Sequence, residues 1–85
     1  MKFKEKLACR EIEGEAYIVD ISSETLHSLN ETGTLVWNGL RKGLTPEACA
    51  ERLAREFEVA PEAALADVRE LVARLTARGL VKEGK

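Results

Sequence analysis

The side chains that could act as nucleophiles, bases or metal ligands are few and widely spaced. The sequence has one histidine, His27, and two cysteines, Cys9 and Cys49. No serine, cysteine or aspartate stands at a recognisable catalytic spacing from His27, and one histidine with two distant cysteines is too few ligands for a metal site. The six glycines are scattered at the ends of elements and form no phosphate-binding loop. These observations predict a protein that is not an enzyme and has no metal or other cofactor.

The cysteines and the carboxylates have ordinary structural explanations. Neither cysteine belongs to a CxxC pair, so both are expected to be buried or half-buried thiols, with a disulfide as the minor alternative. The carboxylates of the segments EIEGE and ERLAREFE are expected to form charged surface. Function therefore has to be sought in how the elements are arranged.

The size and charge of the chain narrow the classes of function. Its 85 residues fit one domain, spanning residues 1–85, with a core too small for a deep catalytic pocket. The formal net charge of −2 gives no electrostatic attraction to nucleic acid or to an anionic membrane. The sequence has no apolar run long enough for a transmembrane helix, and the segment MKFKEKLACREIEG lacks the apolar core of a signal peptide. A cytoplasmic location is expected.

Three short strands are expected in the first part of the chain. Residues 3–21 contain two of them, separated by a turn at Glu13-Gly14 in which glycine supplies a positive φ. The segment YIVDI (residues 17–21) alternates with a period of two, which is typical of a half-buried strand. The third strand is Thr25–Leu29. Tight turns between short strands predict an antiparallel meander.

The pattern becomes helical at Asn30, whose side chain is expected to cap the first helix. That helix should run from about Glu31 to Lys42, with Gly43 as the left-handed residue that follows it. The second helix is expected to be capped by Thr45 and to have Pro46 in its first turn.

The third helix begins at Pro61 and ends at Gly79, after which Leu80-Val81 is expected to pack back as a short tail. Val59, before this helix, is expected to fill the core. The helix carries the strongest helical signal of the chain, in apolar residues spaced by three and four: Ala64, Leu65, Val68, Leu71, Val72 and Leu75. This spacing leaves open whether Leu71, Val72 and Leu75 face the core or an adjoining groove.

The order of the elements predicts an α+β fold, winged helix-turn-helix-like, with a three-stranded antiparallel sheet followed by three helices. If the third strand is an edge strand, its free N–H and C=O groups can accept another chain. DNA binding is an alternative, although the basic residues of the third helix are interleaved with acids. A further alternative is a structural dimerisation module whose exposed strand pairs with its own copy.

A series of motifs runs from the end of the third strand through all three helices. In chain order they are Leu29-Asn30, Leu35-Val36-Trp37, Gly43 with Thr45, Phe57, Asp67-Val68, and Leu75 with Gly79-Leu80-Val81. In order and spacing the series resembles the PqqD-like family, named for the small protein of pyrroloquinoline quinone biosynthesis. The resemblance covers about Ala16 to Val81.

The resemblance implies a recognition domain for ribosomally made, post-translationally modified peptides. Such proteins are similar in fold to a winged helix-turn-helix and hold the leader of a precursor peptide as an extra strand, between the third strand and the third helix. They present it to a modifying enzyme, which is a radical-SAM protein in the quinone pathway and a leader peptidase, cyclase or other enzyme elsewhere. The chain is therefore expected to be a non-catalytic peptide-binding chaperone.

The resemblance also indicates which residues would contact the peptide. On the strand these are Thr25, Leu26, His27, Ser28 and Leu29. On the third helix they are drawn from Val68, Arg69, Val72, Leu75 and Thr76. Pairing with acidic leader residues is expected from Arg69, Arg74 or Arg78.

Overall fold

The computed structural model describes residues 1–82 of the chain, which form five strands and three helices. The strands are β1 (Lys2–Phe3), β2 (Leu7–Ile12), β3 (Glu15–Asp20), β4 (Thr25–Leu29) and β5 (Val81–Lys82). The helices are α1 (Glu31–Arg41), α2 (Pro46–Phe57) and α3 (Pro61–Ala77). The predicted α+β fold is confirmed, and the third predicted strand is β4 with the expected bounds.

The three-stranded sheet is an antiparallel meander in the order β2-β3-β4. The turn between β2 and β3 consists of Glu13 and Gly14, with φ angles of 52° and 82°. Positive φ at both central residues is the geometry of a two-residue type I′ turn, whose twist matches that of the flanking strands. The hairpin predicted at this position is therefore confirmed, together with the reason for its glycine.

One face of the sheet packs on the helices and the other faces solvent. In β3, Ala16, Ile18 and Asp20 are buried, whereas Val19 between them is 38% exposed. The alternation expected from YIVDI is present, with Ile18 and Asp20 on the buried face and Val19 on the exposed face. Ile18 and Ala16 join a core built mainly by α1, α2 and α3 around Trp37.

The helix ends follow the local sequence signals. The Thr45 hydroxyl accepts a hydrogen bond from the Ala48 N–H at 3.1 Å, which caps α2 as expected. At the end of α1, Gly43 has φ +95° and Leu44 N–H donates to the Gly39 carbonyl at 3.0 Å. The hydrogen bond from Leu44 to Gly39 is characteristic of a Schellman C-cap. Gly39 itself lets α2 approach, because a Cβ there would lie 2.8 Å from the Cys49 Sγ.

A second, two-stranded sheet joins the two ends of the described chain. In it β1 pairs antiparallel with β5, so the predicted tail at Leu80-Val81 is in part a strand. Phe3 of β1 packs edge-on against Trp37 at a centroid distance of 5.3 Å. Next to it, Lys4 N–H donates to the Leu80 carbonyl at 2.9 Å. The N-terminal segment is thereby fixed to the C-terminal end of α3.

Two expectations about buried residues are wrong. Cys9 is exposed, although Cys49 is buried as expected and both thiols are free. Cys9 lies in β2, the edge strand farthest from β4, where it is the register partner of Ile18 in β3. Val59 is 38% exposed and follows Glu58, the left-handed residue at which α2 ends.

No helix in residues 1–82 combines the length and the apolar character needed to cross a membrane. In the same residues, no three His, Cys, Asp or Glu side chains lie together in a way that could hold a metal ion.

A partly buried ion pair fixes the turn that precedes β4. The Asp20 carboxylate accepts from Lys4 Nζ at 2.6 Å and from the Ser22 hydroxyl at 3.0 Å. The Lys4 ammonium holds the pKa of Asp20 well below its usual range, and the hydrogen bonds from Ser22 and Ser23 act in the same direction against the opposing effect of burial. Since Asp20 lies opposite Thr25, this pair connects the N-terminal segment to the start of β4.

Replacing Lys4 with methionine is expected to lower the free energy of unfolding near pH 7, because the Asp20 carboxylate would remain buried without its cation. The folded-state pKa of Asp20 lies below its unfolded value of about 3.9, so the stabilisation is complete above that value and is lost as pH falls through the folded-state pKa. The difference in urea-unfolding free energy between wild type and Lys4→Met should therefore shrink below about pH 4.

The control is Lys2→Met, which changes an exposed lysine of the neighbouring strand β1. Lys2→Met should leave the free energy of unfolding nearly unchanged both near pH 7 and below about pH 4. A Lys4→Met effect of the same size at neutral and acid pH would contradict the ion-pair explanation and indicate that Lys4 acts through packing.

Candidate functional site

The outer edge of β4 has no strand beside it within residues 1–82. The strand order β2-β3-β4 places β4 at the end of the sheet, paired only with β3. Its residues Thr25, Leu26 and Ser28 are exposed, and Leu26 is 65% exposed. An edge strand of this kind carries backbone groups that a further strand can pair with.

The other edge of the same sheet is chemically different. β2 has the sequence LACREI, and its Arg10 and Glu11 are both exposed. Charged side chains on an edge strand discourage pairing with another chain. β4 has the sequence TLHSL, without Asp, Glu, Lys or Arg. Of the two edges of this sheet, β4 is therefore the better acceptor.

A buried hydrogen-bond relay shows which backbone groups of β3 face β4. The Ala16 N–H donates to the Thr34 Oγ1 at 2.8 Å, and the Thr34 hydroxyl donates to the Leu29 carbonyl at 3.3 Å. Leu29 is the register partner of Ala16. The threonine hydroxyl of α1 therefore lies between the two strands at the end of their ladder, and the backbone of Ala16 faces β4.

The same alternation assigns the backbone groups of β4. In an antiparallel sheet, successive residues direct their N–H and C=O groups to opposite sides of the strand. Because Ala16 faces β4, Ile18 and Asp20 do so too, and their partners in β4 are His27 and Thr25. Leu26 and Ser28 therefore direct their N–H and C=O groups to the outer edge.

Asn30 joins the strand directly to α1. Its Oδ1 accepts from the Gly33 N–H at 2.9 Å and from the Thr32 hydroxyl at 3.1 Å. The expected N-cap is confirmed. Because α1 begins as soon as β4 ends, the open edge leads without a loop to the N-terminal turn of this helix.

A cleft of about 220 Å³ lies at this junction, between the N-terminal turn of α1 and one flank of α3. Its apolar lining comes from Val36, Leu53 and Leu71, which are all buried core residues. Asp67, Glu70 and Arg74 are exposed and line the same cleft. With Asn30, Thr32 and Gly33 on its other side, the cleft continues from the end of β4.

The structure brings the strand residues to this site but places the predicted helix residues elsewhere. Val68 and Leu75 are 0% and 2% exposed and belong to the core. Arg69 and Val72 line a different cleft, with Pro46 and Glu47 of α2. Thr76 lines a third cleft, beside β1 and β5.

Sequence pattern alone does not identify the residues of α3 that line the cleft beside β4. Leu71, left open between core and groove, is 4% exposed and contributes to both. Asp67, Leu71 and Arg74 are spaced by four and three, so they lie on one side of the helix. The spacing of these three residues could have indicated the cleft-facing side of α3. A second stripe through Arg69, Val72 and Thr76 has the same period, so periodicity does not choose between the two.

The sequence and fold match known proteins. The family model of coenzyme PQQ synthesis protein D (PqqD) matches residues 15–81. No curated protein matches the sequence.

Two solved structures share the fold over nearly the whole chain. One is TbiB1 in complex with the TbiA(beta) leader peptide, which is 21% identical, with a TM-score of 0.91 over 100% of this chain and 99% of that chain. The other is lasso peptide synthetase B1 complexed with the leader peptide, which is 24% identical, with a TM-score of 0.88 over 96% of each chain. The overall arrangement of strands and helices is thus the one found in these two complexes.

Replacing Thr34 with valine is expected to lower the free energy of unfolding by about 1–3 kcal/mol, because it leaves the buried Ala16 N–H without the hydroxyl that it bonds. Urea unfolding measures this change. Valine keeps the shape of threonine, so the loss would report the hydrogen bonds rather than packing.

The matched control is Thr76→Val, which also removes a threonine hydroxyl from a helix. Thr76 is exposed, and its hydroxyl bonds only the Val72 carbonyl of its own helix. Its effect should stay within about 0.5 kcal/mol. A Thr34→Val effect as small as this would mean that β3 and β4 close their ladder without the relay.

Proposed function

The chain belongs to the family of coenzyme PQQ synthesis protein D (PqqD), and on this basis we propose that it binds the leader of a ribosomally made precursor peptide as an added β-strand. In this proposal residues 1–85 act as a single recognition domain that presents the leader to a modifying enzyme and does no chemistry itself. The observation that carries the proposal is the unpaired outer edge of β4. The two solved structures with the same fold, which are complexes with leader peptides, support it.

The leader is proposed to lie antiparallel to β4, in continuation of the antiparallel sheet. Its backbone would pair with the N–H and C=O groups of Leu26 and Ser28, the two residues that direct them outward. Thr25, His27 and Leu29 hold this edge by pairing with β3. Backbone pairing of this kind supplies affinity with little dependence on peptide sequence.

Side-chain contacts are proposed on the flank of α3 that faces the cleft. Asp67, Glu70, Leu71 and Arg74 line that cleft. The buried residues Val68 and Leu75 support this flank from the core. Arg69, Val72 and Thr76 lie on other clefts and are not part of the proposed contact.

A captured leader would keep the attached core peptide close to an enzyme that binds the same complex. For a short tether the effective concentration is about millimolar, so weak contacts between enzyme and core peptide suffice. The enzyme would be a radical-SAM protein, a leader peptidase or a cyclase. Since a ribosomally made precursor is synthesised in the cytoplasm, the proposed function places this protein there.

Replacing Ser28 with proline is expected to weaken binding of the leader peptide encoded beside the gene while preserving the fold. Proline removes an N–H that faces the outer edge, and proline is tolerated where that group points to solvent. One lost hydrogen bond of about 0.5–1.5 kcal/mol corresponds to about a 2- to 12-fold rise in Kd. Isothermal titration calorimetry measures the Kd, and circular dichroism checks the fold.

Cys9→Pro is the matched control at the other edge of the sheet. Cys9 is exposed, and by the same alternation its N–H points away from β3. The Cys9→Pro variant should bind the leader peptide with the Kd of the wild type. His27→Pro, in contrast, should destabilise the fold, because the His27 N–H pairs with β3. A folded Ser28→Pro variant with wild-type affinity would count against strand addition at β4.

Nuclear magnetic resonance of the labelled protein should locate the bound peptide. On titration with the same leader peptide, the largest amide shift changes are expected at Leu26 and Ser28 and around Leu71 and Arg74 of α3. The reason is that these groups would gain strand hydrogen bonds or side-chain contacts. Changes confined to α1 and α2 would contradict the proposed location.

A further inference from the structure

Charged residues along the cleft-facing flank of α3 are ordered by sign. Asp67, Leu71 and Arg74 are spaced by four and three residues, so they lie along one side of the helix. Arg78, the residue that caps the C-terminal end of α3, follows Arg74 by four positions. Glu70 lines the same cleft as the first three of these. The flank is therefore acidic in its N-terminal half and basic in its C-terminal half.

Contacts at both ends of β4 fix how this flank runs along the strand. Asp67, Glu70 and Arg74 share the cleft with Asn30, which follows the last residue of β4. The Leu80 carbonyl, just beyond α3, accepts from the Lys4 N–H, and the Lys4 ammonium pairs with Asp20 opposite Thr25. The C-terminal end of α3 therefore lies toward the beginning of β4, so along the helix the acidic half of the flank is nearer the end of β4 than the basic half.

The lengths of the two elements are compatible. From position 67 to position 78 an α-helix rises about 16 Å. The five residues of β4 span about 13–17 Å. A peptide strand of about this length beside β4 would therefore pass both halves of the charged flank.

These charges are not used within the described fold. Asp67, Glu70, Arg74 and Arg78 are all exposed. Within residues 1–82, the ion pairs shorter than or equal to 4.0 Å join Lys4 to Asp20 and Arg69 to Glu47. Neither pair involves this flank of α3, so its four charged side chains are available to a ligand.

We propose that this flank selects leader peptides by the order of their charges, with Lys or Arg on the N-terminal side of the added strand and Asp or Glu on its C-terminal side. An antiparallel strand beside β4 runs from the Leu29 end to the Thr25 end. Its first residues therefore meet Asp67 and Glu70, and its last residues meet Arg74 and Arg78. The order of signs in the peptide is the reverse of the order on α3.

This inference rests on the proposed function, because it assumes a strand at the edge of β4. Exposed ion pairs contribute modestly, so each matched charge should change the Kd by about 1.5- to 5-fold. Reversing two charges of one sign should change it by roughly tenfold in low salt. The difference should nearly disappear in about 1 M salt, where the screening length is about 3 Å.

The test is a selection of peptides from a random library displayed on phage, with the full chain as bait. Peptides are kept for analysis when Ser28→Pro weakens their binding, since these occupy the edge of β4. The kept peptides should carry basic residues before the apolar strand segment and acidic residues after it. A synthetic peptide of the selected sequence should bind at least about tenfold more tightly than one in which its basic and acidic residues are exchanged, because the exchange reverses charges of both signs.

Variants of α3 complete the test. A protein carrying Asp67→Lys and Glu70→Lys together with Arg74→Glu and Arg78→Glu should prefer the exchanged peptide. The positions are exposed, and circular dichroism checks that the fold is retained. Arg69→Glu, on the flank that faces α2, is the matched control and should leave the preference of the wild type unchanged.

The outcomes separate the two proposals. Ser28-dependent peptides with random or opposite charge order, or an unchanged preference in the α3 variant, would overturn the charge-order proposal and leave strand addition standing. A selection that yields binders, none of them sensitive to Ser28→Pro, would overturn the proposed function and the charge order with it.

Discussion

Two residues of β4, Leu26 and Ser28, direct backbone N–H and C=O groups to a side of the sheet where residues 1–82 provide no partner. Backbone groups must be paired or solvated, and at this edge the alternatives are water and another chain. Proteins usually protect such an edge with charged side chains, as this sheet does in β2. β4 lacks charged side chains, so the sequence permits pairing there.

An edge is useful for binding only if it is already held in the extended conformation, because ordering a strand on binding would cost affinity. β4 is fixed at both of its ends. At one end the Thr34 hydroxyl bonds both Ala16 and Leu29, and Asn30 caps α1 immediately afterwards. At the other end the Asp20–Lys4 pair ties the preceding turn to the N-terminal segment. A peptide that pairs with β4 therefore meets an edge that is already formed.

Features of this site set by neighbouring residues could be predicted from the sequence. The bounds of β4, the cap at Asn30 and the turn at Glu13-Gly14 follow from side-chain chemistry and backbone preference within a few positions. Features set by distant residues could not. β1 and β5 are two-residue strands from opposite ends of the described chain, and neither has a strand pattern of its own.

The sequence also could not predict which side of α3 lies beside the end of β4. The helix has two flanks with the same period beside its buried stripe, and only the position of α2 decides between them. Because α2 lies beside the flank with Arg69 and Val72, the flank with Asp67 and Arg74 is left beside α1 and the end of β4. Periodicity identifies faces of a helix, but packing assigns them to partners.

The two parts of the proposed site differ in what they can discriminate. Backbone pairing at Leu26 and Ser28 is available to any extended peptide without proline at the pairing positions, so it gives affinity with little selectivity. Selectivity must then come from side chains, and an exposed groove with a small, largely polar cleft offers only modest energies for each contact. Several modest contacts in a fixed order can still discriminate, because a peptide with the wrong order places like charges together and loses more than one favourable pair. The open edge of β4 and the charged flank of α3 therefore have complementary roles in the proposed site. The edge would hold a peptide in a fixed register, and in that register the flank can discriminate between peptides by the order of their charges.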